Sequence, residues 1–252
     1  MKIKRIGILG AMPEEINGIV LLLENKQEIV KGMRTYYIGT INEIEVVVVF
    51  SRWGKVASAT TVTHLIVEFN ITQLYFIGVA GAISQELNIG DIVIANSLVQ
   101  HDMDARPIMR QFEIPLLSKT FLYPPSKIYK DAYSSIKELE TSGQFLDVIS
   151  IQNQEKFLIS NPRVFVGQVA SGDKFFSNTS DKNLLLNLLP DVLCVEMEGA
   201  AVAQVCFEYD IPFVVIRTIS DAANETSPVD FKEFIVEVAL KYGIEIIRKL
   251  IK

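Results

Sequence analysis

The sequence predicts an α/β fold, and three observations carry that prediction. The stretch Asp191–Asp221, DVLCVEMEGAAVAQVCFEYDIPFVVIRTISD, reads as strand, helix, strand. In it, Val192 to Val195 is an apolar run suited to a buried strand, Glu198 to Tyr209 is rich in Ala and Val as a helix is, and Phe213 to Ile219 is a second buried strand built from β-branched residues. Further apolar runs at Ile3–Leu9, Leu74–Val79 and Asp91–Val99 close on small or polar residues, as strands ending at a loop do. Finally, 49% of the 252 residues are hydrophobic, so most of the length must pack. That length fits one large domain or two small ones. With no repeat, low-complexity run or linker in view, residues 1–252 are read as a single domain.

Composition excludes several classes of function. The formal net charge of −6 argues against a nucleic-acid surface, which needs a basic face. Cys194 and Cys206 sit in apolar surroundings without CxxC spacing, and His64 and His101 are the only histidines, so neither a metal nor a zinc-type site is expected. Buried free thiols in a reducing, cytoplasmic compartment are the simpler reading. No apolar run reaches the length of a membrane span. The start, MKIKRIGILGAM, has the charge and apolar stretch of a signal peptide, but Pro13, Glu14 and Glu15 end it without a cleavage site, so a first strand is expected.

In chain order, Gly10 to Glu15 is a strand-to-helix junction, with Pro13 suited to the first helical turn and two acids at the positive end of the helix dipole. Glu14 is read as a helix-start residue only; Glu15 is open to function. Lys26–Gly32, Thr35–Ile41 and Glu43–Phe50 read as antiparallel strands, Ser51 to Gly54 as a turn, and Gly54 to Phe69 as a helix. Gly78-Val79-Ala80-Gly81-Ala82 closes a strand with small residues that let a ligand approach the backbone. No GxGxxG follows any strand, which disfavours a dinucleotide site and a Rossmann-type dehydrogenase. Gln100 to Pro107 is a polar loop whose one His and two acids are too loose a set for a metal. Ile108 to Ser126 is irregular and suits a flap or a subunit contact. Helices are expected over Ser126–Glu140 and Asp181–Leu189, with a strand within Asn161–Val169 between them. The tail Asp230–Lys252 is an amphipathic helix with Asp230 as N-cap and Phe231, Phe234, Ile235, Val238, Tyr242, Ile246 and Leu250 on one stripe, read as core.

Five strand ends carry unusual chemistry: Gly10–Glu15, Gly78–Ala82, Ser171–Phe176, Glu196–Glu198 and Ser220-Asp221. If the strands run parallel, these ends converge on one cleft. It would hold carboxylates, small residues and Phe rings. A ring suits stacking on a flat base, and a carboxylate accepting two hydrogen bonds matches a vicinal diol. That inventory points to a purine nucleoside as small-molecule ligand.

The motifs GILGAMPEE, SRWGKVASA, GVAGAI, GDIVIA, HDMDARP, SGDKFF, VEMEGAAVAQVC and VIRTISD together resemble the methylthioadenosine/S-adenosylhomocysteine nucleosidases of the nucleoside phosphorylase/nucleosidase family. They stand in the family's order and cover nearly the whole chain; VEMEGAA with RTISD and GAMPEE is the specific part. The resemblance implies a three-layer fold with a mixed central sheet partly closed into a barrel and flanked by helices. It also implies a homodimer, no cofactor, and hydrolysis of the N-glycosidic bond to adenine and a 5-thio-substituted ribose, with 5′-deoxyadenosine a further candidate substrate.

By the same resemblance Asp221 protonates adenine N7 with Ser220 placing the base, Glu15 activates water with Arg217 nearby, and Glu198 clamps the ribose hydroxyls with Met197 against the sugar. Phe175 stacks on adenine, the backbone of Phe176 reads its edge, and Val79, Ala80 and Gly81 line the base side. Phe231 begins a segment closing over the site. The HDMDARP loop helps form the 5′-substituent pocket, partly for the neighbouring subunit. An Asp donates a proton near neutral pH when burial or a hydrogen bond favours its neutral form. A carboxylate near C1′ stabilises an oxocarbenium-like sugar and accepts a proton from water. Trp53 stands where relatives commonly carry a small aliphatic residue, which bears on the choice of 5′ substituent. The rivals are a phosphorolytic enzyme, with Arg52 and Arg217 as candidate phosphate ligands, and a non-catalytic nucleoside sensor.

Overall fold

The computed structural model describes residues 4–224 and 231–252. Its strands are β1 (Arg5–Gly10), β2 (Glu24–Lys31), β3 (Arg34–Ile41), β4 (Ile44–Phe50), β5 (Gln73–Ala82), β6 (Ile92–Gln100), β7 (Phe121–Leu122), β8 (Val164–Ser171), β9 (Val192–Glu196) and β10 (Phe213–Asp221). The α-helices are α1 (Pro13–Val20), α2 (Lys55–Val67), α3 (Ser126–Thr141), α4 (Gln144–Asp147), α5 (Ile151–Lys156), α6 (Thr179–Leu188), α7 (Gly199–Glu208), α8 (Phe231–Phe234) and α9 (Leu240–Leu250).

β5 is the pivot of the sheet. It pairs in parallel with β1 on one edge and with β10 on the other, and its last residues pair antiparallel with β9. β10 continues antiparallel to β6, and β6 to β8 and β8 to β9 run parallel. The circuit β5–β10–β6–β8–β9–β5 therefore closes a mixed five-stranded barrel, while β1, β4, β3 and β2 extend from it as an open wing. Every residue of β10 is buried, which is why this strand carries a continuous apolar run rather than alternation.

Two apolar layers flank the sheet. On one face α1, α3 and α9 supply Ile16, Ile19, Ile136, Leu139, Tyr242 and Ile246. On the other, α2 and α7 supply Val62, Leu65, Val202, Ala203 and Cys206. Both cysteines are buried and free. Of the tail stripe, Phe234, Ile235, Val238, Tyr242 and Ile246 are buried core as expected, whereas Phe231 and Leu250 are half-buried and Phe231 faces the cleft described below. A π-helical turn over Ile235–Ala239 joins α8 to α9 within it. The N-cap expected at Asp230 lies outside the described residues.

The structure differs from the sequence reading in three places. The irregular 108–126 segment contains the two-residue β7 and an isolated bridge between Ile114 and Lys119. The short helices α4 and α5 follow α3, with no apolar period long enough to announce them. Strand directions are mixed, as the resemblance implied, so the five strand ends meet without the all-parallel arrangement that the convergence argument supposed. The antiparallel pairing of Gly81 with Val195 and of Ala82 with Cys194 brings the ends of β5 and β9 to one point from opposite directions.

Candidate active site

A cleft opens where these strand ends meet, lined by carboxyl groups, aromatic rings and small residues. All twelve residues singled out from the sequence line it: Glu15, Val79, Ala80, Gly81, Phe175, Phe176, Met197, Glu198, Arg217, Ser220, Asp221 and Phe231. Ala11, Met12, Trp53, Lys174, Val195 and Glu196 complete the wall.

Pro13 starts α1 and turns the chain so that Glu15, in the first helical turn, folds back over its own helix end. Its Oε2 accepts hydrogen bonds from the backbone N–H of Ala11 (2.6 Å) and Met12 (3.0 Å), and its Oε1 accepts one from Val79 (3.2 Å). Burial pushes the carboxyl pKa up, against the opposing pull of Arg217 and those three amides. Glu14, by contrast, is exposed, as a helix-start residue should be.

Arg217 sits in the middle of β10 and is only 1% exposed. Its Nε and Nη2 both donate to Glu196 Oε2, at 3.2 and 2.5 Å, and its guanidinium carbon lies 3.9 Å from the centroid of the Phe76 ring. Glu196, at the end of β9, also accepts from the Ser171 hydroxyl and from the backbone N–H of Glu198 and Gly199. The Ser171 hydroxyl oxygen in turn accepts from Ala200 N at 2.7 Å. Glu196 is thus the hub joining β8, β9, β10 and the start of α7. The sequence placed it only among the strand-end carboxylates, together with Glu198 two residues on, and the structure gives the two different partners.

Glu198 is nearly buried, and its Oε1 accepts from Gly54 N at 2.8 Å. Burial, reinforced by the neighbouring Glu196 charge, raises its pKa to about 8. Asp221 Oδ2 lies 2.8 Å from the Ser220 hydroxyl, and Oδ1 accepts from Ala223 N at 2.8 Å. Lys182 Nζ donates to the carbonyls of Ala82 and Ala222 at 2.7 and 2.8 Å, tying the end of β5 to the residue after Asp221.

The glycines of β5 make room for protein groups. A Cβ on Gly78 would stand 2.8 Å from Arg217 Nη1 and 2.9 Å from Glu15 Oε1, and one on Gly81 would stand 3.0 Å from Asp221 Oδ1. Close approach here is by the catalytic candidates themselves, a refinement of the ligand approach inferred from the Gly/Ala strand end.

Aromatic rings form the apolar side. Phe175 is 41% exposed and meets Phe231 edge to face at 5.9 Å, and Phe231 meets Trp53 the same way at 6.5 Å. Phe176 is buried, with His101 edge-on at 5.2 Å. The 101–107 loop does not line the cleft within this chain. It braces the turn behind it, with Asp102 accepting from Lys55 Nζ (2.6 Å) and from Asp173 N (2.9 Å). Among the described residues no group of three or more His, Cys, Asp or Glu side chains could hold a metal ion. The cleft thus brings buried carboxyl groups and one buried guanidinium beside an aromatic wall.

The family model described as the phosphorylase superfamily matches residues 5–252. A 5′-methylthioadenosine/S-adenosylhomocysteine nucleosidase of Staphylococcus epidermidis is 32% identical over 236 residues, covering 93% of this chain and 94% of that protein. An aminodeoxyfutalosine nucleosidase of Helicobacter pylori is 35% identical over 238 residues, 94% of each. Among solved structures, a Colwellia psychrerythraea 5′-methylthioadenosine/S-adenosylhomocysteine nucleosidase in complex with adenine aligns with TM-score 0.86 at 27% identity, over 99% of this chain and 95% of that one. A nucleosidase of the same name from S. pneumoniae with a transition-state inhibitor aligns with TM-score 0.82 at 32% identity, over 98% of both chains.

Proposed function

The chain belongs to the phosphorylase superfamily, and on that premise we propose that it hydrolyses the N-glycosidic bond of 5′-methylthioadenosine and S-adenosylhomocysteine, giving adenine and a 5-thio-substituted ribose. One observation carries this reading: three buried carboxyl groups, Glu15, Glu196 and Glu198, act on the buried guanidinium of Arg217, and a fourth, Asp221, lines the same cleft. Cleaving C1′–N9 leaves positive charge on the sugar and sends the bonding electrons to the base. An acidic cleft stabilises the first and can protonate the second.

In this mechanism Asp221, held by Ser220, gives its proton to adenine N7 as the C1′–N9 bond breaks. Phe175 covers one face of the base and the Phe176 backbone meets its edge, with Val79, Ala80 and Gly81 along the base side. Glu198 clamps the ribose hydroxyls by hydrogen bonding, and Met197 packs against the sugar. Water attacks C1′ and loses its proton to Glu15, whose carboxylate burial makes more basic. Arg217 balances the surrounding carboxylates through its pair with Glu196. Phe231 closes the aromatic side.

Phosphorolysis is disfavoured because the cleft offers phosphate no uncommitted guanidinium. Arg217 is committed to Glu196, and Arg52 donates to the Met33 carbonyl at 2.6 Å and does not line the cleft.

We further read residues 1–252 as one catalytic domain acting as a cytoplasmic homodimer. The 108–126 segment supports the dimer, since Ile108 and Leu116 stand 87% and 91% exposed on it. The free buried thiols fit a reducing compartment. No helix among the described residues is long and apolar enough to cross a membrane.

The test of the chemistry is Asp221→Asn. The variant should bind methylthioadenosine with a Kd close to that of the parent, while single-turnover hydrolysis falls by about 100-fold or more. Undiminished turnover would remove Asp221 from the role of acid.

A further inference from the structure

A lysine outside the cleft holds the backbone beside Asp221. The β5–β10 ladder closes with the pair Gly81 and Asp221, after a register shift beyond Ile219. One residue further along each strand, the carbonyls of Ala82 and Ala222 meet a single ammonium: Lys182 Nζ, on α6, donates to both, at 2.7 and 2.8 Å. The Ala222 carbonyl is one end of a peptide unit whose other end is the Ala223 N–H, and that N–H donates to Asp221 Oδ1 at 2.8 Å. A trans peptide is planar, with its C=O and N–H pointing opposite ways. Lys182 and Asp221 therefore grip one rigid group from its two ends. The group has little room to turn, since Ala223 is buried and a Cβ on Gly81 would stand 3.0 Å from both the Ala223 Cβ and Asp221 Oδ1. The helix that carries the lysine is fixed as well. Its Leu185 packs in one apolar cluster with Ile83, Phe176 and Ala223, and Asp181 pairs with Lys174 at 2.7 Å. Charge adds to geometry. An ammonium donor bonds a carbonyl more strongly than a neutral donor does, and a bond to the C=O of a peptide polarises its N–H. Burial lowers the Lys182 pKa, and the Asp221 carboxylate opposes that shift.

We propose that Lys182 is a positioning residue for the general acid. It holds the Ala222–Ala223 peptide so that the N–H fixes Asp221 Oδ1 as an acceptor, and the proton bound for the base then sits on Oδ2, beside the Ser220 hydroxyl. The proposal rests on the nucleosidase reading and adds what orients its acid. Without the ammonium the Ala222 carbonyl loses its partner, the peptide is free to rotate, and Oδ1 competes with Oδ2 for the proton. Transfer to N7 then loses its alignment while the rest of the cleft keeps its shape.

The test is a double-mutant cycle read by single-turnover hydrolysis of 5′-methylthioadenosine. With enzyme saturating and in excess, the rate constant does not depend on how much of the protein is folded. Lys182→Met removes the donors at nearly constant length. It should lower the rate by about 10- to 100-fold, the scale of one charge-assisted hydrogen bond, and move Kd by less than about twofold. Lys182→Arg, which keeps charge and donors, should stay within about threefold of the parent. In Asp221→Asn, where no carboxyl proton remains to be placed, adding Lys182→Met should cost less than about threefold more. If Lys182→Met does not fold, Lys182→Gln, with a neutral donor, takes its place in the same cycle. An unchanged rate in the lysine variant, a loss carried by Kd, or an equal loss in both backgrounds overturns the proposal and leaves Asp221 as the acid. Undiminished turnover in Asp221→Asn alone removes the acid itself and the proposal with it.

Discussion

Replacing Glu196 by Gln perturbs the hub of the site without changing its shape. The carboxylate accepts from the Ser171 hydroxyl, two backbone amides and two nitrogens of Arg217, so both oxygens face donors. A Gln must turn its own NH₂ toward at least one of them, and it leaves a guanidinium 1% exposed without its partner. Breaking a buried pair from one side costs roughly 3–5 kcal/mol. Glu15 and Glu198 remain near Arg217 and offset part of this, so we expect the lower end, about 3 kcal/mol. For a chain of this size that lowers Tm by roughly 6–12 °C. The assay is thermal unfolding followed by circular dichroism at matched protein concentration, which holds any self-association constant. Removing the Glu196 charge also removes a cause of the raised Glu198 pKa, second to burial, so the pH dependence described next should move to lower pH in the variant. A Tm shift under about 2 °C, together with an unmoved pH dependence, would refute the assignment of Glu196 as the hub.

Glu198 titrates near pH 8 in the folded chain against 4.5 as its ordinary value, so the folded state holds its proton more tightly than the unfolded one. The sign follows: stability contributed by this group is full below about pH 4.5 and declines as pH rises toward about 8. Glu15, also raised by burial, adds a term of the same sign. Urea midpoints at fixed ionic strength should therefore fall across that window and flatten in Glu198→Gln; midpoints that rise with pH would contradict this. Gly78→Ala inserts a methyl within 3 Å of both Arg217 Nη1 and Glu15 Oε1. It should cost about 1–3 kcal/mol of stability and lower kcat more than it raises KM, since it displaces the carboxylate proposed to activate water. A stable, fully active variant would show that Gly78 makes no room that the chemistry needs.

Much of this fold is legible along the chain because buried strands write themselves as β-branched runs. Phe213 to Ile219 and the VVVV core of β4 need no structure to be recognised. Strand direction is another matter, since an apolar run reads the same whichever way its neighbour points. The closure of the barrel depends on that direction and on register shifts such as the one between Ile219 and Asp221, which no periodicity encodes. The π-helical turn over Ile235–Ala239 is invisible for a related reason, because the apolar stripe continues through it on both sides.

The site divides in the same way. Asp221, Glu15 and Glu198 are legible as charges at strand and helix ends, where burial must be used or balanced. Glu196 carries the same signal, but its role as partner of Arg217 depends on β9 and β10 facing each other across the barrel, at a separation of 21 residues. Trp53 reads as a turn residue, and only the cleft shows what its indole borders. Gly78 reads as flexibility for a ligand, whereas in space it clears two side chains of the protein's own.

The most direct test of the central claim is product analysis of methylthioadenosine incubated with the pure protein in oxygen-18 water, with and without phosphate. The account predicts adenine and free methylthioribose at equal rates in both conditions, with the label at C1 of the sugar. A requirement for phosphate, with an unlabelled sugar 1-phosphate as product, would contradict it.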